Sequence, residues 1–256
     1  MLATLTLQSV SGINFSKPRE VSIVTAMRKS SADKVRRKAR YHHGELREAL
    51  IEATRQLVVE RGAENFTLAD ACRAAGVTTA APYRHFQGKQ EILAEIASRG
   101  FVELKSRAMA IIAQKGEGTL EGIIAMGQAY VAFAVEETAV FRLMFGQEPS
   151  LKKAEHVLGT GHACFANLIH QVALYCERNH VRGDPQQIAL RLWTFVHGAA
   201  SLLIDHDYDA VAPTIDVNQL IAGATPGLLL ALPRSPRSVK QRTSACLLYT
   251  SPSPRD

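Results

Sequence analysis

The 256-residue sequence is poor in cysteine and in long apolar runs. It contains four cysteines, and no two of them have the C-x-x-C spacing of a zinc site or a redox motif. No apolar run approaches the roughly 20 residues of a membrane-spanning helix, and the first residues lack the basic start of a secretory signal. These absences argue against a disulfide framework, and we expect a cytoplasmic protein that makes no use of a membrane.

Residue sets typical of catalysis are also missing. The sequence shows no nucleophile–base–orienter set, no phosphate-binding glycine loop and no metal-ligand spacing. We therefore expect no enzymatic activity, no cofactor and no metal site.

Positive charge is concentrated near the N-terminus. The net charge is +6, yet residues 41–232 contain 16 basic and 21 acidic side chains. Residues 28–40 contain seven basic side chains and one acidic side chain. A basic arm ahead of a folded body is the pattern of a duplex binder, because its cations release counterions from DNA phosphates. A solvated tail that only aids solubility is the alternative.

Composition divides the chain into four parts. We predict a disordered basic arm over residues 1–40, with Met27 as a hypothetical native start, and helical domains over 41–90 and 91–232. The Pro/Ser/Arg-rich tail, 233–256, is also expected to be disordered. Its last 12 residues resemble a translated sequencing adapter and are left out of the fold prediction.

Apolar residues recur at helical spacing through the two central domains, which predicts an all-α protein of about nine helices. The expected helices lie near 43–61, 68–75, 78–83, 89–113, 119–134, 138–146, 151–179, 185–206 and 216–231. Gly159 and Gly161 are expected to break or bend the seventh of these.

Residues 66–93 predict a helix-turn-helix. Thr67 and Asp70 have the spacing of a capping box, and Gly76 stands where a left-handed residue ends the first helix. Thr78 can then cap a second helix that runs through Tyr83. In this motif the second helix enters the major groove and reads base edges.

The same residues resemble the DNA-binding head of the TetR/AcrR family of bacterial transcription regulators. The positions that match the family pattern are Thr67, Ala71, Ala75, Gly76, Val77, Thr78, Tyr83, His85, Phe86, Lys89 and Leu93. Pro82 replaces the commoner leucine before the tyrosine. Further on, Trp193, His197 and Gly198 resemble the Trp-x-x-x-His-Gly motif of one branch of the family's C-terminal domains.

The resemblance implies a three-helix DNA-binding head followed by a helical domain for ligand binding and dimerisation. Its implied function is a homodimeric, ligand-responsive repressor that leaves a palindromic operator when a small apolar or aromatic effector binds. Two alternatives stay open on the sequence: an architectural DNA binder without sequence preference, and a helical protein–protein adaptor.

The resemblance and the helical pattern together assign three groups of residues. The expected DNA contacts are Arg40, His43, Thr67, Thr78, Thr79, Ala81, Tyr83, Arg84, His85 and Lys89. The expected effector pocket is lined by Phe101, Leu104, Met126, Tyr130, Phe133, Phe141, Phe165, Ile169, Trp193 and His197. The expected dimer interface uses Leu192, Phe195, Val196, Ala199, Leu203 and Leu220.

Overall fold

Helices form all the regular structure in residues 43–146 and 148–230, which are the residues that the computed structural model describes. They are α1 His43–Arg61, α2 Leu68–Ala75, a one-turn 3-10 helix Pro82–Arg84, α3 Lys89–Lys115, α4 Leu120–Glu136, α5 Thr138–Phe145, α6 Pro149–Lys153, α7 Glu155–Arg178, α8 Pro185–Ile204, α9 Asp207–Val211 and α10 Val217–Leu229. The predicted all-α fold is confirmed. The basic arm, Arg40 and the tail lie outside the described residues, and the domain boundaries at 40, 90 and 232 stay predictions.

The ends of α1 and α2 follow their local sequence. Gly62 ends α1 with φ 77° and Gly76 ends α2 with φ 68°, a region that L side chains rarely adopt. At the start of α2, the hydroxyl of Thr67 accepts a hydrogen bond from the Asp70 N–H, and the Asp70 carboxylate accepts one from the Thr67 N–H. The predicted capping box is therefore present.

The expected second helix, from Thr78 to Tyr83, is absent. An α-helix there would need the N–H of residue 82 to donate to the Thr78 carbonyl, and Pro82 has no N–H. The Ala81 N–H instead closes a single turn on the Thr78 carbonyl at 3.0 Å. Pro82 then begins the 3-10 helix, a first position that suits its fixed φ. We call residues 78–85 the reading turn.

Lys89 ties the start of α3 to the loop between α1 and α2. Its ammonium donates hydrogen bonds to the carbonyls of Ala63 and Phe66, both at 2.8 Å, and lies 4.4 Å from the centre of the Phe66 ring. Phe66 is itself buried. The side chain that begins α3 therefore stabilises the packing of the head on this helix.

α5 packs closely on α3 at Gly100. A Cβ at residue 100 would lie 2.5 Å from the sulfur of Met144 and 2.8 Å from a methyl carbon of Val140, so a larger residue would require these side chains to shift. This close approach brings Phe145, at the end of α5, to within 5.3 Å of the Phe101 ring on α3.

α7 is continuous through both of its early glycines, so a break at Gly159 or Gly161 is excluded, and a bend there stays a prediction. The interruption comes earlier, at Ala154, whose extended backbone separates α6 from α7. Gly161 faces the Phe101 ring, and a Cβ there would make ordinary contact at 3.5 Å.

α8 is the central helix of the C-terminal part. It packs against α4, α7 and α10, and Ile188 and Leu192 belong to a buried cluster with Ile123, Val172 and Leu229. Among the described helices, α8 is long and apolar enough to cross a membrane, a test that core helices also pass; α4 and α5 meet it only as a pair bent by 106°.

Burial on α8 shows that three residues of the expected dimer interface cannot contact a partner. Leu192, Val196 and Ala199 are buried inside a single chain, so their side chains are closed to a partner helix. Phe195 and Leu203 on α8 are half-buried, as is Leu220 on α10. The outward stripe consists of Leu190, Thr194, Gly198 and Leu202. The sequence has apolar residues on more than one face of this helix, and the sequence alone does not indicate which face is buried within the chain.

We predict that Lys89→Met lowers the free energy of unfolding by about 1–3 kcal/mol, because two hydrogen bonds from a charged donor to half-buried carbonyls are lost. Lys115→Met, at the exposed other end of α3, is the matched control and should change it by less than about 0.5 kcal/mol. Urea unfolding followed by circular dichroism measures both. Equal losses in the two variants would contradict the role of Lys89.

Candidate DNA-contacting surface and interior cavity

The reading turn lies on the surface of the protein. Thr78, Thr79 and Arg84 are exposed, and Tyr83 is 67% exposed. Ala81 and His85 are half-buried beside them. A hydroxyl pair, a phenol and a guanidinium are thus presented together, which suits hydrogen bonding to base edges and phosphates.

Buried anchors on both sides of these residues hold the reading turn in place. Pro82 and Phe86 point inward and are buried, as are Ala71 and Cys72 on the facing side of α2. The guanidinium of Arg47 lies 5.3 Å from the centre of the Phe86 ring. Tyr83 and Arg84 therefore project to solvent between two buried side chains, Pro82 and Phe86.

Two of the expected phosphate contacts have partners within the protein. The Thr67 hydroxyl donates to the Asp70 carboxylate at 2.6 Å, and this hydrogen bond is the main cause that lowers the pKa of Asp70. Two of the three N–H groups of Lys89 are used on main-chain carbonyls. His43 is the first residue of α1. The DNA contacts of these three residues stay predictions.

A cavity of about 300 Å³ lies between α3, α4, α5, α7, α8 and α10. Six of the ten predicted pocket residues line it: Phe101, Leu104, Met126, Tyr130, Phe165 and Trp193. Their rings pack edge to face or tilted, as for Phe165 and Trp193 at 5.6 Å between centres.

The other four predicted pocket residues do not line this cavity. Phe133 is fully buried beneath the Arg107 guanidinium, and Ile169 packs against the buried cluster around α8. Phe141 and His197 lie one layer behind the wall, where both rings contact Phe145.

Sequence reasoning missed eleven lining residues: Ala108, Ile123, Gly127, Phe145, Gly161, His162, Cys164, Leu168, Leu192, Val196 and Thr225. Helical spacing from the residues correctly assigned could have found several of them, because Ile123 and Gly127 share the face of Met126 and Tyr130. Phe145 reaches the wall through the close packing of α5 at Gly100. The spacing of apolar residues in the sequence does not indicate this packing.

The polar atoms of the cavity wall centre on Tyr130. Its hydroxyl lies 2.8 Å from Nδ1 of His197 and accepts a hydrogen bond from Nε1 of Trp193 at 3.3 Å. Burial raises the pKa of Tyr130 well above its usual range and lowers the pKa of His197. Both side chains are therefore neutral at pH 7. Burial also raises the pKa of the Cys164 thiol to about 11, which keeps it protonated.

Charged and metal-binding groups are scarce in this region. The lining contains no Asp, Glu, Lys or Arg. Across the described part of the chain, no group of three or more His, Cys, Asp or Glu side chains could hold a metal ion, and Cys72, Cys164 and Cys176 are free thiols. The cavity can therefore bind an apolar molecule, and its main specific contacts are aromatic rings and hydroxyl groups.

Two family models match the sequence. The family described as "Bacterial regulatory proteins, tetR family" matches residues 50–96, which include most of α1, α2, the reading turn and the start of α3. The family described as "Tetracyclin repressor-like, C-terminal domain" matches residues 123–222, which contain most of the cavity wall. No curated protein matches the sequence.

Solved structures share this fold over most of their length. A protein of unknown function from Rhodococcus sp. RHA1 is 26% identical, with a TM-score of 0.66 over 76% of this chain and 100% of that chain. The fatty acid degradation regulator FadR from Bacillus halodurans is 12% identical, with a TM-score of 0.57 over 72% and 94%. A putative fatty acid metabolism regulator from Clostridium perfringens is 17% identical, with a TM-score of 0.54 over 71% and 96%. The last two show a common fold.

Proposed function

Because the chain belongs to the TetR family of bacterial transcription regulators, we propose that it is a cytoplasmic repressor that binds a palindromic operator as a homodimer. A small apolar or aromatic effector in the cavity releases it. The observation that carries this proposal is the course of α3. The first residue of this helix, Lys89, holds the head, and its middle, at Phe101 and Leu104, forms part of the cavity wall.

The reading turn supplies the operator contacts. Thr78, Thr79, Ala81 and Tyr83 face the bases or the nearby backbone, and base contacts of this kind set specificity. The phosphate contacts, which set affinity, come from Arg40, His43, Thr67, Arg84, His85 and from the N–H of Lys89 that points away from its carbonyl partners. Because Pro82 shortens this element to a turn, fewer bases are within reach than a full helix would allow.

The dimer forms through the outward stripe of α8 and the neighbouring face of α10. Leu190, Thr194, Gly198 and Leu202 recur every four residues, so they follow one side of the helix. A Cβ at Gly198 would meet no atom within 4 Å, and the same is true of Gly223 and Gly227 on α10. Small residues on a partly apolar face let a symmetry-related helix pair pack closely, as in a four-helix bundle.

Effector binding reaches the head through α3 and α5. Phe101 on α3 and Phe145 on α5 meet at the cavity, so a molecule there must displace or support both rings. A second link joins Arg55 on α1 to Glu137 at the junction of α4 and α5, with 2.5 Å between nitrogen and oxygen. Release follows only if the effector binds the DNA-free arrangement more tightly than the DNA-bound one.

Selection from a pool of randomised duplexes tests the proposed function. The full chain should enrich a motif of two inverted half-sites and bind it at least about a thousandfold more tightly than bulk DNA. Tyr83→Ala in the reading turn should abolish the enrichment, whereas Tyr208→Ala on α9 should preserve it. A specificity ratio near one would indicate an architectural binder, and failure to bind any duplex would indicate an adaptor; either result contradicts the proposal.

We predict that Gly198→Arg disrupts the dimer, because it puts a charged side chain on the outward stripe of α8. Light scattering after size exclusion should give twice the chain mass of 27.9 kDa for the unmodified protein and the single mass for the variant. Gly159→Arg on α7 is the matched control, since a Cβ there also meets open space. A dimeric Gly198→Arg protein would show that the subunits meet elsewhere.

A further inference from the structure

A hydrogen-bonded chain in the cavity wall has a direction. The Trp193 N–H can only donate, so the Tyr130 oxygen accepts from it. A phenol is a better donor and a poorer acceptor than an imidazole nitrogen, so the 2.8 Å contact is best made by the Tyr130 O–H donating to Nδ1 of His197. That places the proton of the neutral His197 on Nε2. The chain therefore runs from Trp193 through Tyr130 to His197, and each bond strengthens the next.

Thr225 is the other buried hydroxyl of the wall, and its proton is also used in a hydrogen bond within the protein. It is 2% exposed and its O–H donates to the Ile221 carbonyl at 2.8 Å. Of the remaining polar lining residues, His162 is exposed to solvent and Cys164 offers only a weak S–H donor. The strong buried donors of the lining are thus already used, and lone pairs on two hydroxyl oxygens remain.

We propose that the cavity selects a neutral apolar molecule that carries a hydroxyl group, and that this hydroxyl donates its proton to the Tyr130 oxygen. The proposal rests on the proposed function, in which this cavity holds the effector. A carboxylate would lose its water of hydration, and the lining offers it no Lys or Arg as a partner. A ketone or ether would bring one more acceptor to a wall that already presents acceptors.

Four derivatives of one saturated ring system test the selectivity: menthol, menthone, p-menthane and menthane carboxylate. Trp193 is the single tryptophan of the chain and lines the cavity, so titrations of the DNA-free full-length protein are followed by its fluorescence. Menthol should bind roughly two- to tenfold more tightly than menthone or p-menthane, the worth of one hydrogen bond, and the carboxylate most weakly. No binding of menthol, or binding of menthone or the carboxylate as tight as that of menthol, would overturn the inference.

Variants of the chain test which atom accepts the proton. Tyr130→Phe keeps the ring and removes the oxygen. The ratio of the p-menthane Kd to the menthol Kd should therefore fall to about one. His197→Leu removes the acceptor of the Tyr130 proton and frees that proton for the ligand. Menthone, which can only accept, should then gain affinity relative to p-menthane, an advantage that it does not have in the unmodified protein. His197→Asn is the matched control, because its side-chain oxygen can still accept from Tyr130, and it should keep the original order.

Equal binding of menthone and p-menthane in a folded His197→Leu protein would overturn the assigned direction. Thermal unfolding establishes that each variant is folded. If Tyr130→Phe is not folded, the two His197 variants still test the assigned direction. The titrations contain no DNA, so they are independent of the operator. Menthol binding without any release of a selected duplex would leave this inference standing and contradict the proposed function.

Discussion

The attachment of Lys89 to the loop before α2 is the constraint on which the rest of the structure depends. Without its two hydrogen bonds, the loop before α2 would meet the start of α3 through apolar packing, which is not directional. With them, the first turn of α3 and the loop under the reading turn keep a fixed geometry. An unbroken helix of 27 residues then joins Phe101 and Leu104 at the cavity to the head and its candidate DNA-contacting surface.

Ion pairs between α3 and α1 support the same attachment. The Arg99 guanidinium donates to Glu48 on α1 and to Glu95 on its own helix, at 2.6 and 2.8 Å. These hydrogen bonds lower the pKa of Glu48 and raise that of Arg99. Glu48 and Arg99 are largely exposed, so their ion pair contributes little to stability. Their role is to fix the orientation of α1 against α3.

The cavity depends on a second constraint, the close approach of α5 at Gly100. Phe145 reaches the wall where α5 lies near α3, and a side chain at residue 100 would displace Met144 and Val140 beside it. The wall is apolar apart from a few side chains. Its main hydrogen-bonding feature is the chain from Trp193 through Tyr130 to His197. Shape and a small number of polar contacts therefore decide which molecules fit.

Local signals in the sequence predicted the parts of this structure that local chemistry determines. The capping box at Thr67, the left-handed Gly76 and the bounds of α1 and α3 all follow from side chains within one turn of the feature. The family and the all-α fold were also predicted correctly. Pro82 was noted as a departure, but its consequence, a turn in place of a helix, became evident only in the hydrogen bonds around Thr78.

Tertiary packing decided what the sequence could not. Leu192 and Val196 have the same apolar character as Leu190 and Leu202, and only the positions of α4 and α10 show which pair faces inward. In the same way, Phe133 and Phe165 are equivalent in the sequence. The structure places Phe165 at the cavity and Phe133 in the solid core, because they lie on different helices with different neighbours.

The central claim is that the head and the cavity are coupled through α3, and the emission of Trp193 tests it most directly. This single tryptophan lines the cavity and belongs to α8, which is distinct from every element of the head. Saturating the protein with a selected duplex, in the absence of any effector, should shift its fluorescence, and a scrambled duplex of equal length should not. Identical emission with both duplexes, under conditions where the selected one is bound, would contradict the coupling.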